Sequence, residues 1–357
     1  MTLIRHGLFG AITFAALGLV GCSDDTPSPS ESDAELQATE SQPDTWRFAL
    51  EEIEGSVQHA YASEFKDRIE ARTEDITVEI YPFGTLGTSS QLTELMRQNA
   101  LELAFASPGH LADRIPEAGV FTLHFIMPDD DQLTRDILSD PELYELFQEP
   151  FQEQNLQLLD IIPEGWMVWS GDRPLRTPED FEGFRMRTMT SPILVESYKA
   201  YGANPTPMPY SEVFSGLQLD LIDGQVNPIF AIQEMGFHEE QDYLTSARHA
   251  QFISTLAASR QWYQQLDESH RELITEVRSE LVDWIDEEQI RYNEERLEEI
   301  LNEGGTEWIE LSDEEREVFR EASRYVRQIY LEQAGERGQA ILDAILERVE
   351  ASDRIER

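Results

Sequence analysis

From residue 46 onward β-type and helical segments alternate, and this alternation constrains the fold more than any other feature of the chain. Residues 46–50 read as a strand and residues 57–69 as an amphipathic helix. Ile76-Thr77-Val78-Glu79-Ile80 alternates with period two and stops at Pro82. A helix around residues 92–98 follows, then a buried strand over 101–106 that ends in Ser107-Pro108-Gly109. Such a pattern predicts an α/β domain with a mainly parallel sheet. Ligands of these sheets bind beyond the carboxyl ends of strands, at topological switch points.

A second unit of the same kind starts near Trp169. Thr177-Pro178-Glu179-Asp180 is a helix start: threonine caps, proline takes the first turn, and the acids face the positive end of the dipole. Phe184-Arg185-Met186-Arg187 alternates, with Phe184 and Met186 on one face and the arginines on the other. Ser191-Pro192 opens a helix that Gly202 stops, residues 219–222 lead into the turn Asp223-Gly224, and residues 252–257 read as a further strand. The remainder is helical. Leu273, Val277, Leu281 and Trp284, and later Leu297 and Ile300, form one stripe, and Ser312 with Glu315 makes a capping box. A helix this long exceeds the needs of one compact lobe and predicts a bridge between two.

Arg5 and His6 precede an apolar run over residues 8–19, which Val20, Gly21 and Cys22 close. A basic start, a short apolar segment and small residues describe a secretory signal. The run falls short of the roughly 20 residues of a spanning helix. Cys22 is the single cysteine of the chain. Leu19-Val20-Gly21-Cys22 resembles a bacterial lipobox, which implies a lipidated Cys22 at the mature N-terminus; an ordinary signal with a chance cysteine is the alternative. Residues 23–45, rich in Ser, Asp, Glu, Pro and Thr, read as a disordered tether.

The 357 residues include 71 acidic and 27 basic side chains, a formal charge of −44, which excludes binding to nucleic acid. Lys66 and Lys199 are the two lysines. An acidic, lysine-poor surface suits a protein of concentrated salt, where a Debye length of about 3 Å at 1 M screens self-repulsion. The seven histidines form no metal spacing, and no nucleophile elbow, phosphate loop or dinucleotide fingerprint occurs. The chain therefore reads as neither an enzyme nor a cofactor-binding protein. Asp129-Asp130-Asp131 lacks the glycine and ligand spacing of a calcium loop and reads as an exposed acidic loop. Arg187, at a strand end on the polar face, offers a rigid fork for a carboxylate; a structural salt bridge is the alternative reading.

The order of motifs between residues 176 and 230 resembles the solute receptors of TRAP (tripartite ATP-independent periplasmic) transporters. It comprises Thr177-Pro178-Glu179-Asp180-Phe181-Glu182-Gly183-Phe184-Arg185-Met186-Arg187, Tyr201-Gly202-Ala203-Asn204-Pro205-Thr206-Pro207-Met208-Pro209, Glu212-Val213-Phe214-Ser215-Gly216-Leu217-Gln218 and Ile222-Asp223-Gly224-Gln225-Val226-Asn227-Pro228. The resemblance implies a two-lobed, periplasmic-binding-protein-like clamshell, joined by crossing strands and a long bridging helix, that hands a solute to a membrane permease. It places lobe I at residues 46–168 plus part of 252–300, and lobe II at 169–251 plus the C-terminal helices to 357. Trp46-Arg47-Phe48-Ala49-Leu50-Glu51-Glu52, Ser107-Pro108-Gly109, Arg187-Thr188-Met189-Thr190 and Asn227-Pro228-Ile229-Phe230 resemble the ectoine-binding receptors of halophiles.

By position, the resemblance implies that Arg187 grips a ligand carboxylate and Asn227 bonds the same group. Glu52 would accept from a ligand N–H, and Phe230 would form part of an aromatic wall. His110 stands where that subfamily has Phe, and Tyr210 and Ala231 where it has Trp, so two faces of a cation cage are changed. Val226 replaces the usual Glu. Met167 falls near the second arginine of many organic-acid receptors, so one clamp arginine opposite Glu52 fits a monocarboxylate bearing an amine or amide. Two roles stay open at this point: a lipid-anchored periplasmic transport receptor, and a sensory module reporting solute to a signalling partner.

Overall fold

The computed structural model describes residues 43–355, so the signal, Cys22 and most of the tether lie outside the described residues. In chain order the first elements are β1 (Asp44–Ala49), α1 (Val57–Glu70), β2 (Ile76–Tyr81), α2 (Ser89–Arg97), β3 (Leu103–Ala106) and the single turn α3 (Pro108–Leu111). Next come α4 (Asp131–Leu138), α5 (Pro141–Glu153), β4 (Leu156–Gly171), β5 (Arg187–Thr188), α6 (Pro192–Ala200) and β6 (Thr206–Pro207). The chain continues through α7 (Val213–Gln218), β7 (Gly224–Pro228), α8 (Ile229–Glu234), β8 (Tyr243–Ser259), α9 (Arg260–Gln265) and α10 (Glu268–Glu303). It closes with β9 (Glu307–Glu310), α11 (Asp313–Ser323) and α12 (Val326–Ile355). β1 already includes Asp44 and Thr45, so the tether ends before them.

The two longest strands organise the molecule. β4 and β8 pair antiparallel along most of their length, from Leu156↔Ser259 to Gly171↔Tyr243. At one end, β3 joins β8 and leads on to β1 and β2. At the other, β7 pairs with β4 and β9 with β8. The sheet is therefore mixed. Parallel pairing holds for β1–β2, β1–β3 and β8–β9, whereas the crossing strands run out and back, which makes their pairing antiparallel. The expected mainly parallel sheet describes one end alone. The expected lobe borders near 168 and 252 both fall inside these continuous strands, because each strand serves both ends.

Four apolar clusters flank the ribbon. Two contain β1 and β3 residues such as Phe48, Phe105 and Ala104, and two contain Trp169, Val226 and Val168 from the other end. Helix α10, 36 residues and about 54 Å long at 1.5 Å per residue, contributes Ile274, Val277, Leu281 and Ile285 to one pair of clusters and Ile300 to the other. That is the bridge its stripe predicted. The C-terminal helix, kinked at Gly335, serves both expected lobes: Val326, Tyr330, Ile341 and Ile345 of α12 share one cluster with Leu143, Phe147 and Ala104 and with Ile193 of α6. The triple aspartate is structural too. Asp129 pairs with Arg316, Asp130 caps α4, and Asp131 accepts from Trp166 and Gln251.

Candidate functional site

Arg187 sits on β5, a two-residue strand whose brevity follows from Met186 bridging Gly224 and Thr188 turning into the α6 cap at Ser191. Phe184 and Met186 enter the core as their alternation required. Arg185 points outward and forms an ion pair with Asp223. Arg187 is 1% exposed, and no carboxylate among the described residues pairs with it. Its Nε and Nη2 both donate to the Met208 carbonyl, at 3.2 and 2.9 Å, which fixes the plane of the guanidinium. Burial lowers its pKa to about 10. The structural salt bridge of the alternative reading belongs to Arg185, and the Arg187 guanidinium is left buried and oriented.

Asn227 lies on β7 opposite Val168. Its Nδ2 donates to Gln225 Oε1, Gln225 Nε2 donates to Ser170 Oγ at 3.0 Å, and Ser170 Oγ donates to Gln241 Oε1 at 2.7 Å. This chain of hydroxyl and amides holds the Asn227 carboxamide in place. Val226, between them in sequence, faces the other way into the core opposite Trp169. A side chain on that face meets apolar packing, which accounts for valine there. Gly224 permits the tight approach of β7, since a Cβ would strike the Ser170 carbonyl.

Arg187 and Asn227 line one cavity of about 380 Å³ together with Glu52, His110, Tyr210 and Ala231. Five of the six expected pocket residues thus come together. Phe230 does not: it is fully buried in the cluster of Phe48 and Val57, because the start of α8 at Pro228 turns it inward, while its N–H donates to Asn293 Oδ1. The aromatic side chains that do line the cavity are Tyr210 and Phe252 of β8. Tyr210 packs edge-on to Phe83 and Phe237, at 5.5 and 5.7 Å between centroids, and its OH donates to the Ala231 carbonyl. His110 stands at the rim, 3.3 Å from Thr190 Oγ1, and burial with the neighbouring Arg187 charge lowers it to about 4, so it is neutral.

Sequence reasoning missed Glu51, Ser89 and Met189 as lining residues. Glu51 Oε2 accepts from the Ser107 N–H at 2.8 Å, and burial raises its carboxyl to about 7. The signal was present in the adjacent pair Glu51-Glu52 following a buried strand, where two acids have no solvent-facing reason to sit. Met167 lies outside this cavity, lining a neighbouring one of about 350 Å³ with His124 and His249.

The model of the bacterial extracellular solute-binding proteins, family 7, matches residues 48–333. The chain belongs to that family, the solute receptors of TRAP transporters. It is 37% identical over 302 residues to the ectoine-binding periplasmic protein TeaA of Halomonas elongata, covering 84% of this chain and 88% of that one. Identity to the ectoine/5-hydroxyectoine-binding periplasmic protein UehA of Ruegeria pomeroyi is 36%, over 85% and 90% of the two chains. Among solved structures, an apo open TRAP periplasmic solute-binding protein from Marinobacter aquaeolei matches with a TM-score of 0.81 and 47% identity, over 85% of this chain and 99% of that one. The TeaA structure matches at 0.84 and 37%, over 86% and 100%. This family 7 receptor is thus a two-lobed, periplasmic solute-binding protein and not an enzyme. Family receptors deliver small solutes to membrane permease subunits. No helix among the described residues is long and apolar enough to cross a membrane.

Proposed function

We propose that this receptor captures a small monocarboxylate bearing an amine or amide, a compatible solute of the ectoine type being the best fit, and delivers it to a TRAP permease. The observation that carries the reading is the buried, unpaired Arg187 lining the same cavity as Glu52. Arg187 takes the carboxylate bidentately, Asn227 donates to the same group, Glu52 accepts from the nitrogen, and Tyr210 and Phe252 flank the ring. The ectoine-binding character of the relatives TeaA and UehA supports this choice of solute. A thermal-shift panel of compatible solutes, amino acids and organic acids in high salt tests it. Ectoine-like monocarboxylates should raise the melting temperature most; larger shifts with dicarboxylates would overturn it.

The lipobox-like Leu19-Val20-Gly21-Cys22 supports a second element of the proposal, a lipid on Cys22 that tethers the receptor to a membrane. Cys22→Ala should release it into the soluble periplasmic fraction. A variant that stays with the membrane refutes the anchor.

A further inference from the structure

Behind the cavity, carboxyl groups converge without a cation to balance them. Glu52 and Glu164 are 6% and 0% exposed, and neither has an ion-pair partner among the described residues. One glutamine holds both. The Gln58 N–H donates to Glu52 Oε2 and its Nε2 to Glu164 Oε1, each at 3.2 Å, while Gln58 Nε2 also reaches Ser254 Oγ. Glu164 Oε2 is buried and accepts no hydrogen bond from the described residues. For two carboxyl groups held by one glutamine in a dry site, charge repulsion favours one shared proton over two charges.

Resting on the receptor reading above, we propose that Glu164 is a specificity-determining residue: it shares one proton with Glu52, and a cationic nitrogen on the solute expels that proton to solvent. The empty pair then carries one negative charge opposite the one positive charge of Arg187, which suits a solute with one carboxylate and one cation. When the cation arrives at Glu52, its field makes the second ionisation favourable, so the proton leaves, with Glu52 against the cation and Glu164 behind it. A neutral amide offers no such field and leaves the proton in place. Burial holds both carboxyls above their usual range, and the neighbouring Glu164 charge raises Glu52 further.

Glu234 on α8 bears on Glu52, is itself raised to about 8, and is faced by Arg296 of α10. Glu51 feels Glu164 and is raised to about 7. Tyr210 is pushed above its usual range by burial and these acids, Arg187 stays charged, and His110 stays neutral near pH 7. Glu51 and Glu234 are therefore the competing proton sources that the test must separate.

The test is calorimetry at fixed pH in buffers of different ionisation enthalpy, with ectoine as the cationic probe and pyroglutamate as the neutral one. Ectoine should release a proton, its observed enthalpy changing with buffer, and its affinity should rise by up to about tenfold per pH unit between pH 6 and 8. Pyroglutamate should show neither effect. Glu164→Gln should still bind ectoine but without proton release, whereas release should persist in Glu234→Gln and in Glu51→Gln. Ectoine binding by the unaltered protein without proton exchange, or release that persists in Glu164→Gln, overturns the proposal and leaves the Arg187 clamp standing. Ectoine binding that is indifferent to Arg187→Ala removes the receptor reading beneath it, and absence of ectoine binding removes both.

Discussion

Arg185 and Arg187 are two residues apart and chemically identical, yet their surroundings assign them opposite work. Arg185 pairs with Asp223 at the surface, and Arg187 is buried with the Met208 carbonyl as its hydrogen-bond acceptor among the described residues. Period-two alternation made the shared face of these arginines legible, but not the burial of one, because a cleft forms only when distant segments meet. Phe230 and Phe252 show the same limit. Their chemistry is equal, and which one reaches the cavity depends on the inward turn at Pro228. Glu51 supplies a prediction at this scale. Its carboxyl is raised to about 7 when folded, against about 4.5 in the ordinary case, so the folded state binds the proton more tightly. Its contribution to stability is fully present below pH 4.5 and is lost as pH rises through 7, by roughly 3 kcal/mol at most. Glu51→Gln should therefore flatten the fall in denaturant midpoint between pH 4.5 and 8; an unchanged slope would place the titration elsewhere.

Helices were the most legible elements, since caps are local. Ser312 with Glu315 and the stripe of α10 both read directly from sequence. β4 was not legible as a unit, because it is broken by register shifts around Asp160, Gly165 and Val168. Gly165 has φ +121°, a region open essentially to glycine, and a Cβ there would fall on the Asn293 carboxamide. Asn293 of α10 donates to the Glu164 carbonyl at 2.9 Å and accepts from Phe230 N–H at 3.2 Å, so it ties the bulge, α8 and the bridging helix together. Gly165→Ala should cost about 1–3 kcal/mol through backbone strain and weaken solute binding as the bulge shifts. Equal melting curves and affinity for the variant would show that the bulge accommodates a side chain freely.

At the scale of the molecule, the sequence conveyed two lobes and a bridge through the resemblance of its motifs more than through periodicity. The placing of α12 with the first clusters was hidden, because an amphipathic helix does not state which apolar face it will cover. The crossing of β4, β8 and α10 between two sets of clusters permits the lobes to rock about the bulges, and a solute held from both sides favours the closed arrangement through contacts made only there. Small-angle scattering should record a smaller radius of gyration with saturating solute, and an unchanged profile would count against closure.

Capture of the solute carboxylate by a buried Arg187 is tested by calorimetry of Arg187→Ala and Arg187→Lys with the solute identified by the thermal panel. Removing one member of a desolvated charge pair costs about 2–5 kcal/mol, or roughly 30-fold to several thousand-fold in affinity. The lysine variant should also lose heavily, because a point-like ammonium lacks the two-pronged geometry. Arg185→Ala, which removes the same charge from the surface ion pair, should leave affinity nearly unchanged. That pattern, with melting curves near that of the unaltered protein for the Arg187 variants, is the predicted result. Equal small losses at both positions, or collapse of the fold in Arg187→Ala alone, would contradict it and move the carboxylate clamp elsewhere.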